Sequence, residues 1–196
     1  MVREMHRVIK FALKMVAITC VVLGTPPVLG FQHPVKAEPG LSIRPTSVAG
    51  HFLVASSTLR DPNFAHSVVL MIEHDEHGAL GVVVNRSTLV SVHESVPSLR
   101  TFVGPAQPLL EGGPVQREQV MIIYRSEIML ENSVAVTDKV YATGSAQTLE
   151  NFGEEAAMRN VLVVAGYAGW GPGQLEGELD RDDWLIVEAD ATTLFD

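Results

Sequence analysis

The residues best suited to metal chemistry lie in one short polar stretch. Glu73–His77 reads Glu-His-Asp-Glu-His and offers two imidazoles and three carboxylates, which are groups that bind zinc. A His-x-x-His spacing across a tight turn, however, directs successive side chains away from one another. We therefore interpret this stretch as a solvated polar turn that closes a hairpin, and we predict no metal site.

A second candidate is the glycine-rich stretch Gly169–Gly173, which follows an apolar run and precedes a helical pattern, as phosphate-binding loops do. Its spacing differs from G-x-G-x-x-G, Pro172 lacks the N–H that would hold an anion, and Glu176 and Glu178 add negative charge. The sequence contains neither a G-x-S-x-G nor a Walker lysine motif. We predict no cofactor and no catalytic residue from these patterns.

A third possibility is a binding groove formed where strands end in glycine-bearing turns. Sheets leave hydrogen-bonding groups unused at such places, and pockets combine apolar walls with a few polar groups. The residues that we expect to line one ligand or partner groove are Asn85, Gly112, Gly113, Trp170 and Gln174. The alternative is that Trp170 fills the core while the glycines permit tight turns.

These residues depend on strands for their positions. Runs rich in valine, leucine and isoleucine, of strand length and bounded by turn residues, predict most of the sheet. The predicted strands are His51–Ser57, His66–His74, Ala79–Asn85, Val120–Tyr124, Ser133–Thr137, Val140–Thr143, Val161–Ala165 and Trp184–Val187. His66–His74 and Ala79–Asn85 should form a hairpin, and their continuous apolarity indicates that both faces are covered. Ser133–Thr137 and Val140–Thr143 should form a second hairpin.

Helical patterns are fewer. Val90–Leu99 predicts a short helix, and Ser145 can cap a helix in which Ala146, Leu149, Phe152 and Ala156 share a face. After Val161–Ala165 we expect a glycine-rich turn around Trp170 and a short helix from Pro172. Hairpins mixed with a few helices indicate a single α+β domain.

Charge argues against a nucleic-acid partner. The 196 residues carry a formal net charge of −9, and residues 41–196 alone contain nine Lys/Arg against 21 Asp/Glu, a charge of −12. Binding to a phosphate backbone depends largely on clustered cationic side chains, and the arginines here are scattered. We therefore expect no direct nucleic-acid binding.

The first 37 residues are typical of a secretory signal peptide. Arg3, Arg7 and Lys10 precede an apolar segment from Phe11 to Leu23, which is too short for a stable membrane span. Cleavage is expected after Ala37 or after Gly30. The alternative is an uncleaved N-terminal extension on a cytoplasmic protein. Cys20 is the only cysteine, so no intrachain disulfide can form.

Several motifs together resemble the YqgE/AlgH family across essentially all of residues 41–196. The matching segments are Asp61–Phe64, Ser67–Val69, Glu73–His74, Gly78–Arg86, Glu111–Val115 and Gly166–Glu176. The resemblance implies an α+β domain with a mixed, bent β-sheet curled into a pseudo-barrel and a few helices packed outside. Ser87 departs from the proline that commonly follows Asn-Arg in the family, and most members lack an export signal.

The resemblance brings no established reaction or cofactor, although members are often described as transcriptional regulators. We expect a non-enzymatic binding or interaction domain, exported or periplasmic, with an unknown protein or small-molecule partner. The alternatives are a cytoplasmic regulator that affects transcription through a protein partner, and an enzyme of unknown reaction.

Overall fold

The sheet dominates this domain. The computed structural model describes residues 45–151 and 161–196, so the predicted signal peptide lies outside the described residues. The strands are β1 (His51–Ala55), β2 (Val68–Asp75), β3 (Gly78–Val83), β4 (Ser87–Ser91), β5 (Pro108–Glu111), β6 (Val115–Arg125), β7 (Ser133–Ala135), β8 (Val140–Thr143), β9 (Val161–Trp170) and β10 (Trp184–Glu188). The α-helices in these ranges are α1 (Val92–Ser95), α2 (Gln174–Asp180) and α3 (Ala191–Phe195).

The strands form one curled, half-barrel sheet in the order β10-β1-β2-β3-β9-β6-β8-β7. Neighbours on this path pair antiparallel, while β5 pairs antiparallel with β4 and parallel with β9. The prediction of a single α+β domain with a bent, curled sheet is confirmed at this level.

Both predicted hairpins are present. β2 pairs antiparallel with β3, and all six residues of β3 are buried, as expected for a strand covered on both faces. β7 and β8 form the second hairpin.

The predicted turn around Trp170 is wrong. β9 does not stop at Ala165 but continues to Trp170, where it pairs with Ala79 of β3. Gly166 has a φ of +76°, so the strand bends there instead of ending. The helix that follows begins at Gln174 rather than at Pro172.

Two other helix predictions change. Val90–Leu99 is divided into the end of β4, the single turn α1 and a 3-10 turn at Pro97–Leu99, because a proline at position 97 cannot continue the helical hydrogen bonds. A 3-10 helix spans Ala146–Asn151, and the rest of the predicted helix, with Phe152 and Ala156, lies outside the described residues.

The core divides into three clusters. One lies on the concave face around Leu70, Leu80 and Tyr167, and a second lies around Trp170 and Trp184, where α2 packs. The third cluster packs around the stacked pair Tyr124 and Tyr141. No helix within the described residues is long and apolar enough to cross a bilayer.

Gly78 generates the first testable prediction. Its φ is +135°, and a Cβ there would collide with the carbonyl oxygen of Trp170. We expect Gly78→Val to lower the free energy of unfolding by about 1–3 kcal/mol in a denaturant titration. Gly104→Val is the matched control, because a Cβ at Gly104 would meet nothing within 4 Å. Equal stabilities of the two variants would contradict the prediction.

Candidate functional site

The concave face of the half-barrel holds an apolar pocket. Its lining residues are Ile72, Leu80, Gln119, Val120, Met121, Val134, Ala142, Thr143, Gly144, Gly166 and Tyr167. The free space is about 40 Å³. A water needs roughly 10–15 Å³, so the pocket accepts a small apolar group rather than a whole cofactor. No lining residue carries a formal charge at neutral pH.

The bend in β9 shapes one wall of this pocket. Gly112 donates its N–H to Ala165 O at 2.8 Å and accepts from Val83 N at 2.8 Å, so it joins β9 to β3. A Cβ on Gly112 would collide with Gly166 and Val164, and one on Gly113 would collide with the backbone of Tyr167. The two glycines therefore let the chain approach closely enough to support the bend.

Tyr167 is the aromatic residue that lines the pocket. The residue is 6% exposed and packs in the concave cluster. No other described residue hydrogen-bonds its phenolic oxygen, yet no fully buried side-chain polar atom lacks a partner in this part of the chain. The oxygen therefore keeps some solvent exposure. A tyrosine hydroxyl is protonated at neutral pH, and burial raises the pKa of Tyr167 further, so this hydroxyl is available as a donor.

A bulge in β6 forms the rim. Val115 pairs with Tyr167 and Val120 pairs with Ala165. Between these two pairs the chain moves five positions along β6 but only two along β9. The residues between the two pairs, Gln116–Gln119, are exposed, and Gln116 has a positive φ of +46°. Bulges re-aim side chains at sheet rims, and this one brings the Gln119 amide to the pocket.

Trp170 and Gln174 lie close together because both donate hydrogen bonds to the Glu178 carboxylate. This contact lies at the second core cluster and not at the pocket. Glu178 Oε2 accepts from Trp170 Nε1 at 2.8 Å and from Trp184 Nε1 at 2.9 Å, and its Oε1 accepts from Gln174 Nε2 at 3.2 Å. Trp170 is 5% exposed and stacks with Phe64 at 6.0 Å between centroids. This contact set gives Trp170 a structural role in the core.

Asn85 lies beside Gly112 but apart from Trp170 and Gln174. Val83 N donates to Gly112 O at 2.8 Å and Glu111 N donates to Arg86 O at 2.9 Å, so residues 83–86 run alongside residues 111–112. Asn85 Oδ1 accepts from Val68 N at 2.9 Å and Asn85 Nδ2 donates to His66 O at 2.9 Å. Ala79, the partner of Trp170, is six residues away, roughly 20 Å along an extended chain. A groove holding all five predicted residues would have to follow the sheet over that length, and it stays a prediction.

The polar stretch at the β2–β3 turn is tied into the fold by His74. Val48 N donates to His74 Nδ1 at 3.0 Å, so Nε2 carries the proton and donates to Glu176 Oε1 at 2.9 Å. Desolvation raises the pKa of Glu176, but hydrogen bonds from its own backbone and from His74 outweigh this, and the net pKa is lowered. His77, by contrast, is exposed beside Asp75 and Glu76. Within the described residues, no group of three His, Cys, Asp or Glu side chains is placed to share a metal ion.

Sequence reasoning missed Tyr167 and Gln119. Tyr167 lies in the glycine-rich stretch that suggested a turn, where period-two alternation could not be recognised. Gln119 lies in a polar run without strand character, and only the register shift against β9 reveals its position. The available signal was the pair Gly112-Gly113, which indicates close backbone approach but not its partner.

Known proteins resemble this chain over most of its length. The AlgH-like family profile matches residues 52–196. A UPF0301 protein of Xanthomonas campestris is 39% identical over 160 residues, covering 80% of this chain and 85% of the relative. One from Vibrio vulnificus is 35% identical over 159 residues, covering 76% and 84%.

Two solved structures share the fold. The solution structure of the AlgH protein from Pseudomonas aeruginosa has a TM-score of 0.62 and 31% identity, covering 83% of this chain and 85% of that one. The crystal structure of protein DIP2367 from Corynebacterium diphtheriae has a TM-score of 0.66 and 26% identity, covering 74% and 78%.

Trp170 provides the test of the second core cluster. Because Trp170 is buried, Trp170→Ala should lower the free energy of unfolding by about 3–5 kcal/mol in a denaturant titration. Trp170→Phe keeps an aromatic ring but loses part of the ring volume and the donor to Glu178, so it should cost less, about 1–2 kcal/mol. Little change in stability with Trp170→Ala would instead support Trp170 as the wall of a groove.

Proposed function

The chain belongs to the AlgH-like family, and we propose that it is a non-enzymatic binding or interaction domain whose half-barrel pocket receives an apolar group of a ligand or partner. The observation that carries this proposal is the apolar lining of the pocket, to which Tyr167 contributes a side chain whose hydroxyl no described residue hydrogen-bonds. Because this hydroxyl is not fully buried, an occupant that supplies an acceptor would replace its contact with water.

The chemistry of the lining supports binding rather than a reaction. Nucleophilic and acid–base catalysis need a reactive group beside a base that can take its proton. Among the lining residues there is no Asp, Glu, His, Lys or Cys. The hydroxyl of Thr143 already donates to Asn132 O at 2.8 Å. What the pocket offers is one donor, one amide and apolar walls.

These features also restrict the occupant. Since no charged side chain lines the pocket, a charged group would lose its hydration without compensation. The occupant is therefore a neutral, branched or short apolar group with a hydrogen-bond acceptor close to it. Such a group fits the end of a small molecule and equally a side chain of a partner protein.

The groove predicted from Asn85, Trp170 and the other strand-end residues is a second contact surface that we propose. One loop would form its floor, because Asn85 bonds His66 O while Phe64 stacks on Trp170. Arg86 reinforces this loop by donating to Asn63 O at 3.0 Å. A partner lying along the loop would contact both ends of the predicted groove.

The pocket is tested with methyl isobutyl ketone, a neutral acceptor with a branched apolar end, in an NMR titration of the full chain. We expect shifts at the pocket residues and roughly fivefold weaker binding to Tyr167→Phe, because one hydrogen bond of about 1 kcal/mol is lost. Isopentane, which lacks the acceptor, should bind both forms equally. No shift at pocket residues with the ketone would overturn the proposal.

The same substitution has a matched stability control. Tyr124 Oη donates to Ser133 Oγ at 2.7 Å and accepts from Leu130 N at 3.0 Å. By contrast, no described residue hydrogen-bonds the Tyr167 hydroxyl. We expect Tyr124→Phe to cost about 1–2 kcal/mol of unfolding free energy and Tyr167→Phe close to none. A comparable loss in Tyr167→Phe would mean that its hydroxyl is already used by the protein.

Export is a separate proposal, and it rests on the basic and apolar pattern of the first 37 residues. Mass spectrometry of the native protein from fractionated cells should find an N-terminus near Glu38 or Phe31 outside the cytoplasm. A cytosolic chain that keeps Met1 would contradict export and favour the alternative, a cytoplasmic regulator that acts through a protein partner.

A further inference from the structure

Strand β10 forms an open edge of the sheet. It is the terminal strand of the sheet path and pairs only with β1 among the described strands. The opposite end of the path, β7, is only three residues long, whereas β10 spans five. A longer open edge offers more unpaired backbone groups to another chain.

The register shows which backbone groups of β10 point outward. Ser56 N donates to Asp183 O at 2.9 Å and Ala189 N donates to Gly50 O at 3.3 Å. In an antiparallel pair every second residue hydrogen-bonds to the neighbouring strand. The backbone N–H and C=O groups of residues 183, 185, 187 and 189 therefore point toward β1. The N–H and C=O groups of Trp184, Ile186 and Glu188 therefore face away from the sheet.

The side chains of β10 also favour another strand. Leu185 and Val187 lie on the same face and are 59% and 47% exposed. Natural edges are usually protected by lysine, proline or a bulge, and β10 has none of these. Exposed apolar side chains next to unused backbone groups are suited to strand addition.

Charge indicates the chemistry of that strand. Residues 181–190 contain four carboxylates and one cation, Arg181, which bonds Asp183 at 2.8 Å. The whole chain is acidic as well, with a net charge of −9. A second copy would bring the same four carboxylates to the edge, whereas a lysine- or arginine-containing strand complements them.

We propose that the β10 edge binds an extended, basic segment of a partner protein, which adds to the sheet as a further strand. Alternate residues of that segment are apolar and cover Leu185 and Val187. No β10 residue lines the half-barrel pocket, so this surface is distinct from the pocket and can fail or succeed independently of it.

The probe is a synthetic nine-residue peptide of alternating lysine and valine, capped at both ends, titrated into the full chain. Fluorescence anisotropy gives the affinity, and amide hydrogen exchange gives the place of binding. We expect exchange at Ile186 and Glu188 to slow at least tenfold with bound peptide. The control is a peptide of the same sequence whose backbone nitrogens are N-methylated along both edges of the strand. It keeps its charge but cannot pair as a strand, and it should bind at least tenfold more weakly.

Leu185→Lys is the variant that tests the edge, since it removes an apolar contact and repels the peptide. Leu89→Lys is its matched control, because Leu89 is a fully exposed leucine on β4, away from β10. We expect at least tenfold weaker peptide binding for Leu185→Lys and unchanged binding for Leu89→Lys.

Three outcomes would overturn the proposal. Equal binding of the N-methylated peptide would reduce the interaction to charge alone. Equal weakening of peptide binding by Leu185→Lys and Leu89→Lys would show that the peptide does not bind at the β10 edge. Protection of Ile186 and Glu188 that appears with increasing protein concentration and without peptide would assign the edge to a second copy of the chain.

Discussion

The close approach of two glycines to β9 is the constraint on which the rest of this structure depends. Gly112 lies where β3 and β9 separate and hydrogen-bonds to both strands, and Gly113 lies against the backbone of Tyr167. At the same point Gly166 adopts a positive φ, so β9 bends and pairs with β3 at its end and with β5 near its start. Side chains at these positions would force the strands apart, because a Cβ would collide with the backbone.

The bend has a direct consequence for the concave face. It turns Tyr167 toward the apolar cluster, while the bulge before Val120 places Gln119 at the rim. The result is a small space with apolar walls, lined also by a tyrosine whose pKa burial raises. Such an arrangement is suited to holding a neutral group.

The glycine-rich stretch after the bend serves stability on the other face. Both tryptophans donate their indole N–H to the same oxygen of Glu178, so their polar atoms are satisfied while their rings fill the core. His74 is used in the same way, since it links Val48 to Glu176 through its two ring nitrogens. His74, which was part of the candidate metal stretch in the sequence, is therefore occupied by structural hydrogen bonds.

The sequence by itself determined several of the strands and the family. Apolar runs identified β1, β2, β3 and β8, because a buried strand is a run of consecutive apolar residues. The combined motifs identified the family. The tertiary structure alone decided whether Gly166 bends or ends β9, where the β6 bulge falls and what Tyr167 faces. Those features depend on which distant strand lies alongside, and pairings such as Gly112 with Ala165 leave no local pattern. Glycine permits several conformations, so its partner has to select one.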